Sequence, residues 1–400
     1  MANVSSSNGI EKCPKLRFNG FSNTWTFQSA ESLFENITDK NHPEETVLTI
    51  IQGSGTLPRG ESSRNIRYDE SGIANYKKVQ THDYIIHLRS FEGGLEMANS
   101  TGIISPAYTV LRPKEKVAPL FYDAYFHTDE FINHILAKSV EGIRDGRQIS
   151  YEAFKWLKIP TCSFEEQNKI AELFRVLAIR INKQRELVST LKKYKRGLAK
   201  RLFEEITLMH PSDEIESLFS FIRNGFVGTV TPYFTDKNKG VRYLQGTNVH
   251  SGKITDDTEF YISKEFNEKH QKNILKPDDI LVVQSGHVGE CAVVGDKYAG
   301  ANCHALIIMS NAGSCCSKYV AQYINSDIGI QKIAAITTGN TIKHILATTI
   351  AKVTVPVPSL DEQKRIANVL EKTDKHIDLE EQFLMHLISM RQGFLQQLFI

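Results

Sequence analysis

The sequence predicts a mixed α/β (α+β) fold. Two globular units are separated by two long antiparallel helices that form a coiled coil, giving the chain a pseudo-two-fold internal repeat. Three observations carry this expectation. Ile159–Phe203 lies over Val355–Phe399 without gaps at a constant offset of 196 residues. Both segments hold a heptad pattern of apolar residues. The stretches between them contain short β-rich runs, namely Val47–Ile51, Tyr84–Leu88, Ile280–Val283 and Ala305–Met309.

Composition sets the class. The chain has 400 residues, 41% hydrophobic and 24% charged, which supports packed cores and excludes disorder, collagen-like and disulfide-scaffold classes. No run approaches 18 apolar residues, so no membrane span is expected, and the polar stretch Met1 to Ile10 predicts no secretory leader. Cys13, Cys162, Cys291, Cys303, Cys315 and Cys316 form no C-x-x-C pair, so they read as reduced thiols of a cytoplasmic protein. The net charge of +2 does not announce a nucleic-acid partner; only the distribution of charge can.

The repeat is specific at its start. Pro160/Pro356, Ser163/Ser359, Glu166/Glu362, Gln167/Gln363, Ile170/Ile366 and Ala171/Ala367 are identical pairs. A proline ends an extended segment, and S-x-x-E follows in both copies. In such a capping box the serine accepts from the third helical N–H and the glutamate reaches back to the serine N–H. The inner heptad positions are Ile170, Phe174, Leu177, Ile181, Gln184, Val188, Leu191, Lys195, Leu198 and Leu202 in copy one. Copy two has Ile366, Leu370, Thr373, Ile377, Glu380, Leu384, Leu387, Arg391, Phe394 and Leu398.

Forty such residues span roughly 60 Å at 1.5 Å per residue. From Arg180 to Arg201 there are nine Lys/Arg and one acid, whereas His376 to Gln397 carries three acids and one Arg. The basic helix either faces DNA phosphates or pairs with the acidic one. Gly197 and Gly393 sit at equivalent points in the helical pattern, each costing about 1 kcal/mol against alanine. They mark either a close approach of backbones or a fray near the helix end.

The repeat extends upstream with gaps. Glu31-Ser32-Leu33-Phe34 recurs as Glu216-Ser217-Leu218-Phe219, Gln52-Gly53 lines up with Gln245-Gly246, and the stretch 80–86 with 276–282. The globular halves differ far more than the helices, a pattern expected of two variable readers on a fixed frame.

With Pro356-Val357-Pro358-Ser359-Leu360-Asp361-Glu362-Gln363-Lys364-Arg365-Ile366-Ala367 heading a long helix, and Pro160 to Ala171 as its weaker copy, the sequence resembles the specificity subunits of type I restriction–modification enzymes, the HsdS family. Leu244-Gln245-Gly246-Thr247-Asn248-Val249 and Asn273 to Leu281 resemble the framework of that family's target recognition domains. The resemblance covers nearly the whole chain. It departs at Gln80-Thr81-His82-Asp83, where the family has a Lys-Pro-Asp-Asp-like turn.

The resemblance implies target recognition domains at 1–158 and 207–354, with conserved spacer helices at 159–206 and 355–400. It implies a sequence-specific, non-catalytic subunit that reads a bipartite double-stranded DNA site, one half per domain. It further implies two methyltransferase subunits and motor–nuclease restriction subunits as partners, with the methyl donor and ATP held by those partners and no cofactor in this chain.

Alternatives from other classes are a self-contained methyltransferase or nuclease, and a standalone DNA-binding regulator of the same fold. The catalytic readings find little support. Gly246 to Lys253 has the wrong spacing for a phosphate loop, and Gly53-Ser54-Gly55 lacks a third glycine. Glu362-Gln363-Lys364 imitates a nuclease E-x-K, yet copy one reads Glu166-Gln167-Asn168. The spacing of Cys291, Cys303, His304, Cys315 and Cys316 does not suit zinc. No catalytic or metal-binding residues are therefore expected.

Candidate DNA contacts are polar, loop-like positions able to bond phosphates or base edges. In the first unit these are Arg59, Arg64, Asn65, Arg67, Lys77, Lys78 and Arg89. In the second they are Arg223, Lys237, Lys239, Arg242, Gln245, Gln284, Ser285 and His287. Gln284 to His287 follow a β-rich run and are expected at a strand end.

Overall fold

Alternating apolar residues hand each strand's two faces to two different cores, and this happens twice along the chain. The computed structural model describes residues 13–61, 70–142, 147–339 and 343–399. They divide into two units, one from residues before 186 together with those after 381, the other from Glu186–Glu381.

The first unit contains β1 (Thr26–Ser29), α1 (Ala30–Leu33), β2 (Phe34–Ile37), β3 (Leu48–Ile51), β4 (Gly55–Pro58), β5 (Lys77–Val79), β6 (Tyr84–Ile86), α2 (Ser90–Gly93), β7 (Glu96–Met97), β8 (Gly102–Ile104) and β9 (Thr109–Pro113). It continues with α3 (Pro119–Phe126), β10 (Val140–Glu141), β11 (Gln148–Ile149), α4 (Tyr151–Phe154), β12 (Lys158–Thr161) and the first half of α5 (Phe164–Met209). An antiparallel sheet runs β2-β9-β6-β7. Tyr84, Ile86 and Leu111 face a core with Trp25, Phe34, Phe121, Tyr122 and Phe126. Ile85 and Val110, on the opposite face, join Leu48 and Val79.

The second unit follows with β13 (Ser212–Glu214), α6 (Ile215–Leu218), β14 (Phe221–Asn224), β15 (Gly240–Leu244), β16 (Val249–His250), β17 (Lys253–Ile254), β18 (Phe260–Ser263), α7 (Lys264–Lys269), β19 (Ile280–Val283), β20 (Cys291–Val293), β21 (Asn302–Cys303) and β22 (Leu306–Ser310). Then come α8 (Ser317–Ile324), α9 (Asp327–Ile336), α10 (Ala347–Ile350), β23 (Thr354–Pro356) and α11 (Leu360–Gln397), whose last part belongs to the first unit. The antiparallel sheet runs β14-β22-β19-β20, the same order as before. Ile280 and Val282 face one core while Leu281 and Val283 face another.

Small ties recur as well. Asp83 accepts the Gln80 N–H at 2.8 Å, and Asp279 accepts the Lys276 N–H at 3.0 Å. His82 and Asp278, one residue earlier, both hold positive φ, 77° and 67°. The departure at Gln80 to Asp83 therefore changes side chains and keeps the turn, because the carboxylate that closes it is common to both. Gln52-Gly53 follows β3 and opens the β3–β4 turn, and Gln245-Gly246 likewise directly follows β15.

Each long helix starts where its serine caps it. Ser163 Oγ accepts the Glu166 N–H and Ser359 Oγ the Glu362 N–H, both at 3.3 Å. The glutamates do not reach back as a capping box predicts. Glu166 takes a two-pronged bond from Arg17, at 2.7 and 2.8 Å, and Glu362 faces His210 and Arg365. The neighbouring glutamines are the buried members of the motif. Gln167 Oε1 accepts the Ala118 N–H at 3.0 Å and its Nε2 donates to the Cys162 carbonyl at 3.0 Å. Gln363 does the same with the Cys316 N–H and the Pro358 carbonyl, at 2.9 Å each.

Within the second unit, Lys192 pairs with Glu381 and Lys195 with Asp374, both at 2.6 Å. Within the first, Phe174 stacks on Phe399 at 5.9 Å between ring centroids, and the Arg180 guanidinium lies 5.6 Å over Phe383. In both units numbers rise along α5 as they fall along its partner. The acidic helix thus takes two of the lysines of the basic one, and Arg196 turns to Asp327 at 2.9 Å. Gly197 and Gly393 lie inside continuous helix, and a Cβ at either would meet nothing within 4 Å. Neither close backbone approach nor an early fray explains them, and nothing in the structure does.

Candidate nucleic-acid interface

Tight turns at strand ends leave polar side chains without backbone duties, so they are the first place to seek a reading surface. The β19–β20 turn holds Gln284, Ser285 and His287, at the strand end the sequence predicts. The Gln284 carbonyl accepts the Ile345 N–H at 3.1 Å and Ser285 bridges to His344, which fixes the turn's base. His287 is 72% exposed at its tip. Gly286 has φ of 86°, a backbone state suited to glycine at the tip.

This turn borders an open cleft of about 800 Å³ within the second unit. Across it stand Ser251, Gly252 and Lys253 of the β16–β17 turn, with Lys343 nearby. Glu290 Oε2 accepts the Ser251 N–H at 3.0 Å and lies 3.7 Å from His250. Lys253 is ion-paired with Asp378 of α11. Ser251, Lys253 and Lys343 escaped the sequence reading; the Ser-Gly-Lys turn between two short apolar runs was the available signal.

The remaining candidates of this unit divide by what their charge already touches. Arg242 donates to the Tyr243, Phe260 and Thr258 carbonyls and to Asp256, at 2.9 to 3.3 Å. Lys297, with Arg242 and Tyr298, holds the Asp256 carboxyl below its usual range against the opposing effect of burial. Arg223 donates to the Lys272 carbonyl at 2.5 Å and to Ser310 at 2.9 Å. Both arginines are thus spent on the framework. Lys237 pairs with Glu259 at 2.8 Å and Lys239 with Asp236 at 3.5 Å, and both lysines stay largely exposed. Gln245 caps the turn that follows β15, where its N–H donates to Asn248 at 2.9 Å.

In the first unit Arg64, Asn65 and Arg67 lie outside the described residues. Arg59 follows β4, and its N–H donates to the Val47 carbonyl at 2.9 Å. Lys77 and Lys78 form β5. Lys77 Nζ donates to the Tyr108 carbonyl, and burial, with Lys40 nearby, pushes its ammonium down. Lys78 pairs with Glu45 at 2.5 Å. Arg89 sits just past β6, the place Ser285 holds past β19, and is 68% exposed beside Glu92. Each unit therefore offers an exposed polar turn at the same edge of the same sheet.

The cysteines of the second unit face apolar surroundings. Cys291, Cys303 and Cys315 are buried, and burial pushes the Cys303 and Cys315 thiols up to about 12. Among the described residues no helix is long and apolar enough to cross a membrane.

A family model described as the type I restriction modification DNA specificity domain matches residues 223–387. The chain is 22% identical over 322 residues to the type I restriction enzyme MjaVIII specificity subunit of Methanocaldococcus jannaschii, covering 76% of this chain and 74% of that protein. It is 27% identical over 299 residues to the putative MjaX specificity subunit of the same organism, covering 68% of this chain and 65% of the relative. Its fold is similar to the crystal structure of the type I restriction–modification S subunit from M. genitalium, with a TM-score of 0.60 at 15% identity over 97% of this chain and 99% of that one.

Proposed function

We propose that the chain is a specificity subunit of a type I restriction–modification system and that it reads a bipartite DNA site, one half with each unit. It is a non-catalytic DNA-recognition subunit; methyl transfer and cleavage lie with partner subunits. The observation that carries the two-part reading is the doubled sheet, β2-β9-β6-β7 and β14-β22-β19-β20, each with a polar turn at the corresponding strand end.

The recognition domains are residues 1–158 and 207–354, and the spacers 159–206 and 355–400. The spacers act as an antiparallel coiled coil that relates the domains by a pseudo-two-fold and sets the gap between half-sites. The opposed numbering of Lys192–Glu381 and Lys195–Asp374 supports this, as does that of Phe174–Phe399 and Arg180–Phe383. In this reading half-site spacing follows from the length of the spacers, so it becomes a property of the protein.

DNA contact falls to Arg59, Arg64, Asn65, Arg67, Lys77, Lys78 and Arg89 on one side and to Lys237, Lys239, Gln245, Gln284, Ser285 and His287 on the other, with Arg223 and Arg242 as framework. The complex it serves contains two methyltransferase subunits and the restriction subunits, and works in the cytoplasm.

Sequencing the methylated bases in DNA from cells carrying this chain and its methyltransferase partner tests the reading. A gapped two-part motif is expected, and replacing residues 1–158 with those of a relative should change one half alone. Cleavage or methylation by the purified chain without partners would refute it.

A further inference from the structure

The β16–β17 hairpin turns on two residues, Ser251 and Gly252, both at positive φ, 51° and 80°. A two-residue turn of this kind fixes the geometry of its strands, and it sets His250 directly across from Lys253. Glu290 Oε2 accepts the Ser251 N–H at 3.0 Å. The His250 ring meets the ring of His287 edge-on, at 5.5 Å between centroids. Lys253 reaches the other way and pairs with Asp378 of α11. The hairpin thus stands between the exposed turn carrying Gln284, Ser285 and His287 and the spacer helix, at the rim of the open cleft.

Asp378 belongs to a row of acids. Glu371, Asp374, Asp378 and Glu381 follow at steps of three and four, which places them on one face of α11. Lys318 of α8 pairs with Glu371 at 2.9 Å, and Gln322 of α8 donates to Asp374 at 2.9 Å. Lys195 and Lys192 of α5 pair with Asp374 and Glu381 at 2.6 Å each. Between them the four acids hold α5, α8 and the β16–β17 turn. In the first copy of the repeat the same positions carry Arg175, Ala178, Asn182 and Arg185, so the row belongs to the second copy alone. The β3–β4 hairpin of the first unit is held differently: fully buried Glu96 accepts the Gly53 and Gly55 N–H groups at 2.6 and 2.8 Å.

We propose that Asp378 is a positioning residue for the half-site read by the second unit. Through Lys253 it fixes the β16–β17 turn, and through that turn's ties to Glu290 and His287 it fixes the exposed reading turn. The inference rests on the DNA-reading function proposed above. The side chains of Lys253 and Asp378 are 42% and 33% exposed, so breaking their pair should cost a factor of about five. A carboxylate repels phosphate. On charge alone its removal would tighten binding to every sequence, whereas a positioning role makes discrimination fall at one half.

The test uses the full chain assembled with its methyltransferase partner. Methylation of a randomised DNA library gives the discrimination at each half of the motif, and hydrogen exchange of the peptide spanning 249–256 gives the state of the turn. D378A and K253M should each relax, about fivefold, the half that survives replacement of residues 1–158, and leave the other half unchanged. Both should speed exchange at 249–256 about fivefold. The double variant K253D/D378K, which reverses the pair, should restore both readouts to within about twofold of wild type.

Unchanged exchange in D378A, faster exchange with both halves read as before, equal loss at both halves, or a reversed pair that leaves either readout impaired would each overturn the positioning role. So would a K253M that weakens methylation of every sequence alike beside a D378A that reads as wild type, since Lys253 would then be a phosphate contact. A wild type that methylates no defined motif, with exchange at 249–256 still answering to D378A and to the reversed pair, would overturn DNA reading itself and the role of Asp378 with it.

Discussion

Replacing Gln167 with methionine keeps the volume of a buried side chain and deletes its hydrogen bonds. Two backbone groups then lose their partner, the Ala118 N–H and the Cys162 carbonyl. A buried polar group left unpaired costs about 1–3 kcal/mol, so about 3 kcal/mol is expected for the pair. Both tryptophans, Trp25 and Trp156, lie in the first unit, so tryptophan fluorescence follows that unit alone. With a urea dependence of about 2 kcal/mol per molar, the midpoint should fall by about 1.5 M. Gln363→Met removes the equivalent bonds in the second unit and should lower a transition seen by far-ultraviolet circular dichroism instead. A fluorescence midpoint for Gln167→Met within about 0.3 M of wild type would refute the reasoning. The repeated glutamine would then be a relic of duplication rather than a tie between helix start and globular unit.

Three further outcomes are expected. Gly197→Ala and Gly393→Ala should each stabilise by up to about 1 kcal/mol, since a Cβ meets open space in a helix; thermal melts that fall rather than rise would contradict this. Phe399→Ala should cost the first unit about 3–5 kcal/mol and shift the emission of buried Trp25 to the red, because Phe399 packs on Trp25, Phe121, Tyr125 and Phe174. At pH 8 a thiol reagent should label Cys13 at once and Cys291, Cys303 and Cys315 only after denaturation, given their burial; rapid labelling of all six would refute it.

The arrangement of the chain was legible before folding because periodicity is a local property. Heptads at Ile170–Leu202 and Ile366–Leu398, serine caps, and the apolar runs at 280–283 and 305–309 each depend on neighbours in sequence. The runs became strands at Leu48–Ile51, Tyr84–Ile86, Ile280–Val283 and Leu306–Ser310. The candidate surface was less legible. Arg223 and Arg242 looked like Arg59 and Arg89 in sequence, yet their guanidiniums close the Lys272 and Phe260 carbonyls, far away along the chain. Nothing local marks Lys253 and His287 as neighbours across one cleft.

Sequence alone placed the starts of the two long helices, since serine caps and heptads act through residues three to seven apart. It could not say that Glu166 would turn to Arg17 instead of its own helix, or that Glu96, Gly53 and His127 would meet. Those partnerships join residues 31 to 149 positions apart. A charge or a hydrogen-bonding group chooses among whatever folding brings within about 3 Å, and that choice exists only once the sheets have packed.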